Sequence, residues 1–262
     1  MFRLDGKVAV ITGGASGIGR GTAIVLAQQG AYVAIADRDV ERAQELARLI
    51  GDSAFAVDFD ALNSNSIENM IGSVLAKFKR IDILHNNVAL TAGAWAIDKD
   101  LLGTSLETWD LTIAMNLRSM VAASKVVIPH MIAQGGGSVI NMSSYAAVRG
   151  APSLTAYAAS KSAVVTFTQY SAVQYGRQNV RSNVILPGTI LTPTVTEHLP
   201  DQGASYMRTV PFHRAGSPAD IGAAVAFLSS DEAAFINGQM IHVDGGMSAG
   251  DAEPWDYRQK QS

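Results

Sequence analysis

Short apolar runs alternate with longer amphipathic stretches along the chain, the pattern of βαβ units that build a parallel sheet. Runs near residues 7–12, 32–36, 54–57, 81–85, 137–142, 180–186 and 239–243 predict strands. Stretches at 17–29, 40–50, 64–78, 106–133, 157–176 and 218–229 predict helices. Right-handed crossovers place those helices on both faces of a doubly wound α/β sheet of about seven strands, with ligands at the C-terminal strand ends. No repeat, low-complexity tract or Pro/Ser-rich linker divides the sequence, so residues 1–250 read as one domain followed by a polar tail, 251–262. Two stretches fit the alternation poorly. Residues 88–105 form a long connection after the fourth strand, and long connections are often functional. Residues 189–217 hold Pro193, Pro200 and Pro211, with Leu191, Val195, Leu199, Tyr206 and Met207 set among polar residues, and read as a lid. An ordinary surface loop would fit either stretch as well.

The first strand runs straight into Gly13-Gly14-Ala15-Ser16-Gly17-Ile18-Gly19 and then a helical stretch from Arg20. Strand, glycine turn and helix in that order are the context in which such a motif means dinucleotide binding. Gly13 permits the tight turn, Gly17 lets backbone approach a pyrophosphate, and Gly19 lets the helix pack close to the sheet. Phosphates would then lie at a helix N-terminus, where unpaired amides and the dipole favour negative charge. No Gly-Lys-Ser/Thr follows, which argues against a nucleoside-triphosphate loop. Asp37 stands at the end of the second strand, where a carboxylate can accept from both adenosine ribose hydroxyls and repel a 2′-phosphate. The predicted cofactor is therefore NAD. Arg38 follows and could hold a 2′-phosphate, Asp37 could cap the helix from Val40, and Ser16 occupies a turn position where a base would favour NADP.

Tyr157 and Lys161 lie four residues apart, on one face of a predicted helix, and Ser144 lies thirteen residues before the tyrosine. A phenol is a poor base near neutral pH, and a nearby fixed cation favours its ionised form. The pair is a candidate acid/base device, although either residue could simply solvate a helix face.

Composition narrows the setting. Of 262 residues, 48% are hydrophobic and 16% charged, which suits a compact chain. A net charge of -3 gives no general attraction to nucleic acid or to an anionic membrane. Cysteine is absent, so disulfides and thiolate metal sites are excluded. The N-terminus has no signal-peptide pattern and no apolar run reads as long enough to span a bilayer, leaving a cytoplasmic reading. His85, His130, His198, His213 and His242 are scattered without metal-ligand spacing, and no metal is assigned.

Taken together, Thr12–Gly19, Asp58, Asn86-Asn87, Asn116, Ser144, Tyr157 with Lys161, and Pro187-Gly188 with Thr192 resemble the short-chain dehydrogenase/reductases in their single-domain form. The resemblance runs from about Leu4 to Gly246. It implies a Rossmann-type sheet and an NAD-dependent oxidoreductase that interconverts a secondary alcohol and a ketone. Tyr157 would be the acid/base. Lys161 would lower its pKa and hold the nicotinamide ribose, and Ser144 would orient the substrate oxygen. Ser143 competes for that last role, but only Ser144 has the family's interval to the tyrosine. Asn116 matches an asparagine that kinks its helix and holds a water in a proton relay.

The resemblance further places Gly13, Ser16, Gly17, Ile18 and Gly19 at the phosphates, Asp58 and Phe59 at the adenine, and Asn87 at the adenosine ribose. Pro187 and Gly188 would begin the segment over the nicotinamide, with Ile190 and Thr192 at its carboxamide. One departure stands out: Asn86-Asn87-Val88-Ala89 replaces the family's Asn-Asn-Ala-Gly, which puts local geometry in question there. The resemblance also implies a homotetramer with its C-terminal end at a subunit interface, where Trp255 and Tyr257 would be anchors. Tyr145, Val148, Leu154, Leu191, Tyr206 and Met207 make a largely apolar candidate wall, with Arg149 and Arg208 the nearby cations. That wall suits an uncharged alcohol, cyclic or a diol. A non-catalytic NAD-binding sensor is the alternative of another class, and an epimerase or dehydratase is disfavoured for want of a second domain.

Overall fold

The computed structural model describes residues 2–90, 93–198 and 210–250. One sheet holds β1 (Val8–Thr12), β2 (Tyr32–Asp37), β3 (Ala54–Asp58), β4 (Ile83–Asn86), β5 (Gly137–Met142), β6 (Val180–Pro187) and β7 (Met240–Val243). Its order is β3-β2-β1-β4-β5-β6-β7, and every neighbouring pair is parallel. The order reverses between β1 and β4, which opens a crevice beyond their C-terminal ends. The register lines these ends up, pairing Thr12 with Ala36, Asp37 with Asp58 and Asn86 with Asn141. Residues that follow the strands therefore share one edge.

The strands are short apolar runs because both faces are covered. Ala9 and Ile11 enter a core beneath α1 (Gly17–Gln28), while Val8 and Val10 enter the opposite core beneath α3 (Ser64–Phe78). The other helices are α2 (Val40–Ile50), α4 (Ala94–Ile97), α5 (Leu106–Ile113), α6 (Ser119–Ala133), α7 (Thr155–Tyr175), α8 (Pro193–His198) and α9 (Pro218–Ser229). Observed ends fall within about two residues of those expected, as boundary reading allows. The shift at α7, which starts at Thr155 rather than 157, has a cause in the site described below.

One sequence expectation needs correction. Residues Leu106–Ala133 form a continuous 28-residue helical stretch that is long and apolar enough, by length and composition alone, to cross a membrane. The sequence conceals this because Glu107, Asp110, Arg118 and Lys125 interrupt the apolar residues. In the fold, Met120, Ala123, Val127 and Met131 of this stretch are buried within the domain. The 88–105 connection contains α4.

His85 is the odd residue of β4. It sits between Ile11 and Ile140 in the register, has no exposed surface, and neither ring nitrogen has a hydrogen-bond partner. Burial keeps the imidazole neutral, pushing its pKa from 6.5 down to about 3. Between those values the unfolded chain binds one proton more than the folded one. Stability is thus retained above pH 6.5 and lost as pH falls toward 3. Urea unfolding at about pH 7 and about pH 5 should show wild type losing up to roughly 2 kcal/mol through this residue. His85→Phe should lose correspondingly less; equal losses in both proteins would acquit His85.

Candidate active site

The glycine turn is built by close approach. Gly13 has a φ of 64° and Gly17 a φ of 50°, left-handed values that glycine adopts without strain. A Cβ on Gly19 would collide with the Gly13 carbonyl oxygen and stand 2.8 Å from Asn87 Nδ2. The first turn of α1 is thereby seated on the end of β1. Gly17, Ile18 and Gly19 open the helix, whose first intrahelical bond runs from the Arg20 amide to the Ser16 carbonyl at 3.0 Å. Ser16 is the exposed N-cap and its hydroxyl makes no cap bond. These features fit a dinucleotide pyrophosphate: a side-chain-free cradle, amides not used by the helix, and the positive end of its dipole.

Asn87 ties the turn to β4. Its Nδ2 donates to the carbonyls of Thr12 at 3.0 Å and Gly13 at 3.1 Å, while Thr12 Oγ1 accepts from the amides of Asn87 at 3.0 Å and Val88 at 3.2 Å. A Cβ on Gly13 would lie 3.1 Å from Val88 Cα, so the two segments touch here despite the altered signature. At the neighbouring strand end, Asp37 Oδ2 accepts from the Ala15 amide at 3.0 Å and Oδ1 from the Asp39 amide at 3.0 Å. Asp39, not Asp37, caps α2 through the Arg42 amide. Asp58 is exposed opposite Asp37, but Phe59 is 2% exposed and its ring belongs to the core. Only the backbone of Phe59 can face an adenine.

Across the crevice, Pro187 ends β6 and Gly188 packs against Asp244, where a Cβ would come within 2.7 Å of Asp244 Cβ. Ile190 is buried in the core. Thr192 reaches back toward the glycine turn: a Cβ on Gly17 would lie 3.4 Å from its Cγ2. The two sides of the proposed cofactor crevice thus face one another.

Beyond β5 the acid/base candidates converge. Ser143 Oγ donates to the Lys161 carbonyl at 2.7 Å, and Lys161 Nζ donates to the Met142 carbonyl at 2.8 Å, which together tie α7 to the strand end. Ser143 is therefore occupied, whereas the Ser144 hydroxyl accepts from the Ala146 amide at 3.2 Å and is near enough to the Tyr157 phenol to lower its pKa. Lys161 is 2% exposed and burial lowers its pKa to about 7. Its Nζ lies 5.6 Å from the centroid of the Tyr157 ring. The resemblance led to the expectation that Lys161 lowers the phenol pKa. Within the chain alone the balance differs: burial raises it, and only the Ser144 hydrogen bond works against that rise. Tyr157 is half-buried, which moderates the effect.

Asn116 is fully buried within a π-helical turn, Ala114–Arg118, that interrupts the long helix. Its Oδ1 accepts from the Leu90 amide at 2.7 Å and its Nδ2 donates to Ser160 Oγ at 3.0 Å. Ser160 Oγ in turn donates to the Tyr157 carbonyl at 2.6 Å. Each end of the amide keeps one further hydrogen-bonding position.

Sequence reasoning missed Asp98. Its carboxylate accepts from the amides of Ala156 at 3.1 Å and Tyr157 at 2.7 Å, capping α7 from 58 and 59 residues away. No local pattern signals such a cap. The one hint is that Leu154, at the N-cap, has no side-chain oxygen.

Val148 and Leu191 are exposed where the apolar wall was expected, and Tyr145 is half-buried. Arg149 donates to the Gly250 carbonyl at 3.3 Å. Leu199, Tyr206, Met207 and Arg208 lie outside the described residues, as do the side chain of His198 and the whole tail with Trp255 and Tyr257. Ile190 pairs with Gly216, which closes the base of the 189–217 segment.

Comparison with known proteins agrees with this geometry. The family model described as Enoyl-(Acyl carrier protein) reductase matches residues 13–248. The 3-oxoacyl-(acyl-carrier-protein) reductase of Thermotoga maritima is 37% identical over 250 residues, spanning 94% of this chain and 99% of that one. The 7alpha-hydroxysteroid dehydrogenase of Clostridium sardiniense is 37% identical over 261 residues, 98% of this chain and 99% of that one. A solved 7 alpha-hydroxysteroid dehydrogenase complexed with NADH and 7-oxo glycochenodeoxycholic acid matches with a TM-score of 0.88 and 32% identity, covering 96% of this chain and 97% of that one. By sheet order, by sequence over nearly its whole length and by its relatives, which are oxidoreductases, the chain belongs to the short-chain dehydrogenase/reductase family.

Proposed function

We propose that this protein is an NAD(H)-dependent oxidoreductase that interconverts an uncharged secondary alcohol, cyclic or a diol, and its ketone. One observation carries the reading: Tyr157, Ser144 and Lys161 converge at the end of β5, beside a crevice whose opposite wall is the glycine turn. The nicotinamide, when bound, supplies hydride transfer at carbon. Gly13, Ser16, Gly17, Ile18 and Gly19 would hold the pyrophosphate. Asp37 would hold the adenosine ribose, with Asp58, the Phe59 backbone and Asn87 nearby. Pro187, Gly188, Ile190 and Thr192 would line the nicotinamide end. Asp37 supports NAD over NADP, because its carboxylate faces the turn and would repel a 2′-phosphate. The NADH complex of the related hydroxysteroid dehydrogenase is in keeping with that choice.

In the oxidative direction the Tyr157 oxygen takes the alcohol proton while Ser144 donates a hydrogen bond to the substrate oxygen and fixes its position. In reduction Tyr157 returns the proton. Lys161 Nζ, already held by the Met142 carbonyl, would bind the nicotinamide ribose hydroxyls and supply positive charge beside the phenol. Asn116 would contribute to a water relay behind the lysine.

The same reading includes a cytoplasmic setting and a homotetramer. Fully exposed Phe235 and the exposed Tyr170 and Val173 of α7 are apolar surface of the kind subunit interfaces cover. The tail, residues 251–262, would then dock on a neighbouring subunit.

Tyr157→Phe should lower kcat at least about a hundredfold, within the range of general acid/base contributions, and leave NADH affinity nearly intact. Steady-state rates and a fluorescence titration of NADH check this; a rate within about tenfold of wild type would remove Tyr157 from its role. Asp37→Ala should narrow the preference for NAD over NADP by about tenfold or more, read as kcat/KM for each. A wild-type preference for NADP would overturn the assignment and promote Arg38 to phosphate ligand.

A further inference from the structure

The N-terminus of α7 is held in an unusual way. Leu154 precedes the helix with a φ of 66° and a ψ of 41°, a left-handed conformation uncommon for a residue with a Cβ. Such a residue persists only where its surroundings over-determine it, and strained residues of this kind cluster at functional sites. Here the surroundings are Asp98. Its backbone carbonyl accepts from the Leu154 amide at 3.3 Å, and its two carboxylate oxygens accept from Ala156 and Tyr157. One residue therefore binds three amides across four positions.

Asp98 is itself fixed. It is 1% exposed, its amide donates to the Ala94 carbonyl at 2.8 Å, and Thr104 Oγ1 lies 3.4 Å from its Oδ1. Thr104 Oγ1 also accepts from the Lys99 amide at 2.8 Å, and Thr155 Oγ1 donates to the Lys99 carbonyl at 3.3 Å. The 93–104 segment thus forms a clamp on the first turn of α7. That turn carries Tyr157 as its third residue. The other side of the Tyr157 peptide is held through Ser160 and Asn116, so Asp98 supplies the restraint on its N–H side.

We propose that Asp98 is a positioning residue for the reaction, which sets the placement of Tyr157 by binding its backbone amide and makes the 93–104 clamp part of the catalytic apparatus. The proposal rests on the acid/base role of Tyr157 given above. It differs from simple helix capping in what it forecasts: displacement of the phenol should cost turnover, not cofactor binding. A misplacement on the order of 1 Å is worth up to about a hundredfold in rate.

The test uses the full-length protein with Asp98→Ala and Asp98→Asn. Asparagine is as good an N-cap as aspartate but keeps one acceptor oxygen of the two. For Asp98→Ala, kcat per folded enzyme should fall about tenfold to a hundredfold while the NADH dissociation constant stays within about twofold. Asp98→Asn should recover most of the rate, and amide hydrogen exchange at Tyr157 should rank wild type, Asn, Ala from slowest to fastest. If Asp98→Ala does not fold, Asp98→Asn decides: a modest loss of kcat with faster exchange at Tyr157 supports the proposal. A kcat for Asp98→Ala within about twofold of wild type with accelerated exchange at Tyr157 would overturn it, as would, where only Asp98→Asn folds, an Asn variant with faster exchange and an unchanged kcat, or parallel losses of kcat and cofactor affinity. A wild-type protein with no secondary-alcohol activity, or an active Tyr157→Phe, would instead remove the underlying reading and leave the clamp as structure alone.

Discussion

The contact between the first turn of α1 and the end of β1 is the constraint on which the site depends. With no side chain at Gly19, the helix rests on the Gly13 carbonyl and leaves room for the Asn87 amide, which bonds Thr12 and Gly13 at the same point. A β-carbon here would push α1 off the strand, break the bridge to β4 and tilt the free amides of Gly17, Ile18 and Gly19 away from the crevice. Strand order, glycine spacing and the asparagine on β4 are thus parts of one arrangement. Its product is an edge of helix N-terminal amides, of the kind that suits an anion, at the point where the strand order reverses.

A second set of restraints fixes the acid/base end. Tyr157 has its amide on Asp98 and its carbonyl on Ser160, and Lys161, one turn later, has its carbonyl on Ser143 and its Nζ on Met142. The first turns of α7 are therefore pinned on several sides before any substrate arrives. Such preorganisation is what proximity and orientation require of a catalytic helix. Burial works the other way on protonation, raising the phenol and lowering the ammonium, so the two groups are driven toward neutral forms.

The sheet and helices were legible because each strand is a short apolar run and each helix an amphipathic one, and because glycine, Asp37 and the Tyr-Lys spacing act over short intervals. Those local signals singled out Gly13, Gly17, Gly19, Tyr157 and Lys161, while Asn87 and the choice of Ser144 over Ser143 came from the family resemblance. What stayed hidden depends on contacts distant in sequence. Asp98 reaches α7 across more than fifty residues, in a segment that read only as a long connection. Phe59 and Ile190 stand next to crevice positions, yet their side chains turn into the core, which a family correspondence by position does not reveal. The 106–133 helix was read with its full length, but its apolar character was masked by Glu107, Asp110, Arg118 and Lys125.

The central claim is that one crevice brings NAD and an alcohol oxygen to Tyr157 and Ser144. A crystal structure of the protein with NADH and a ketone product bound tests it most directly. The account predicts the ketone oxygen within hydrogen-bond distance of both Tyr157 Oη and Ser144 Oγ, the pyrophosphate on the amides that open α1, and the adenosine ribose on Asp37. A cofactor bound elsewhere, or a ketone oxygen held by neither hydroxyl, would contradict it.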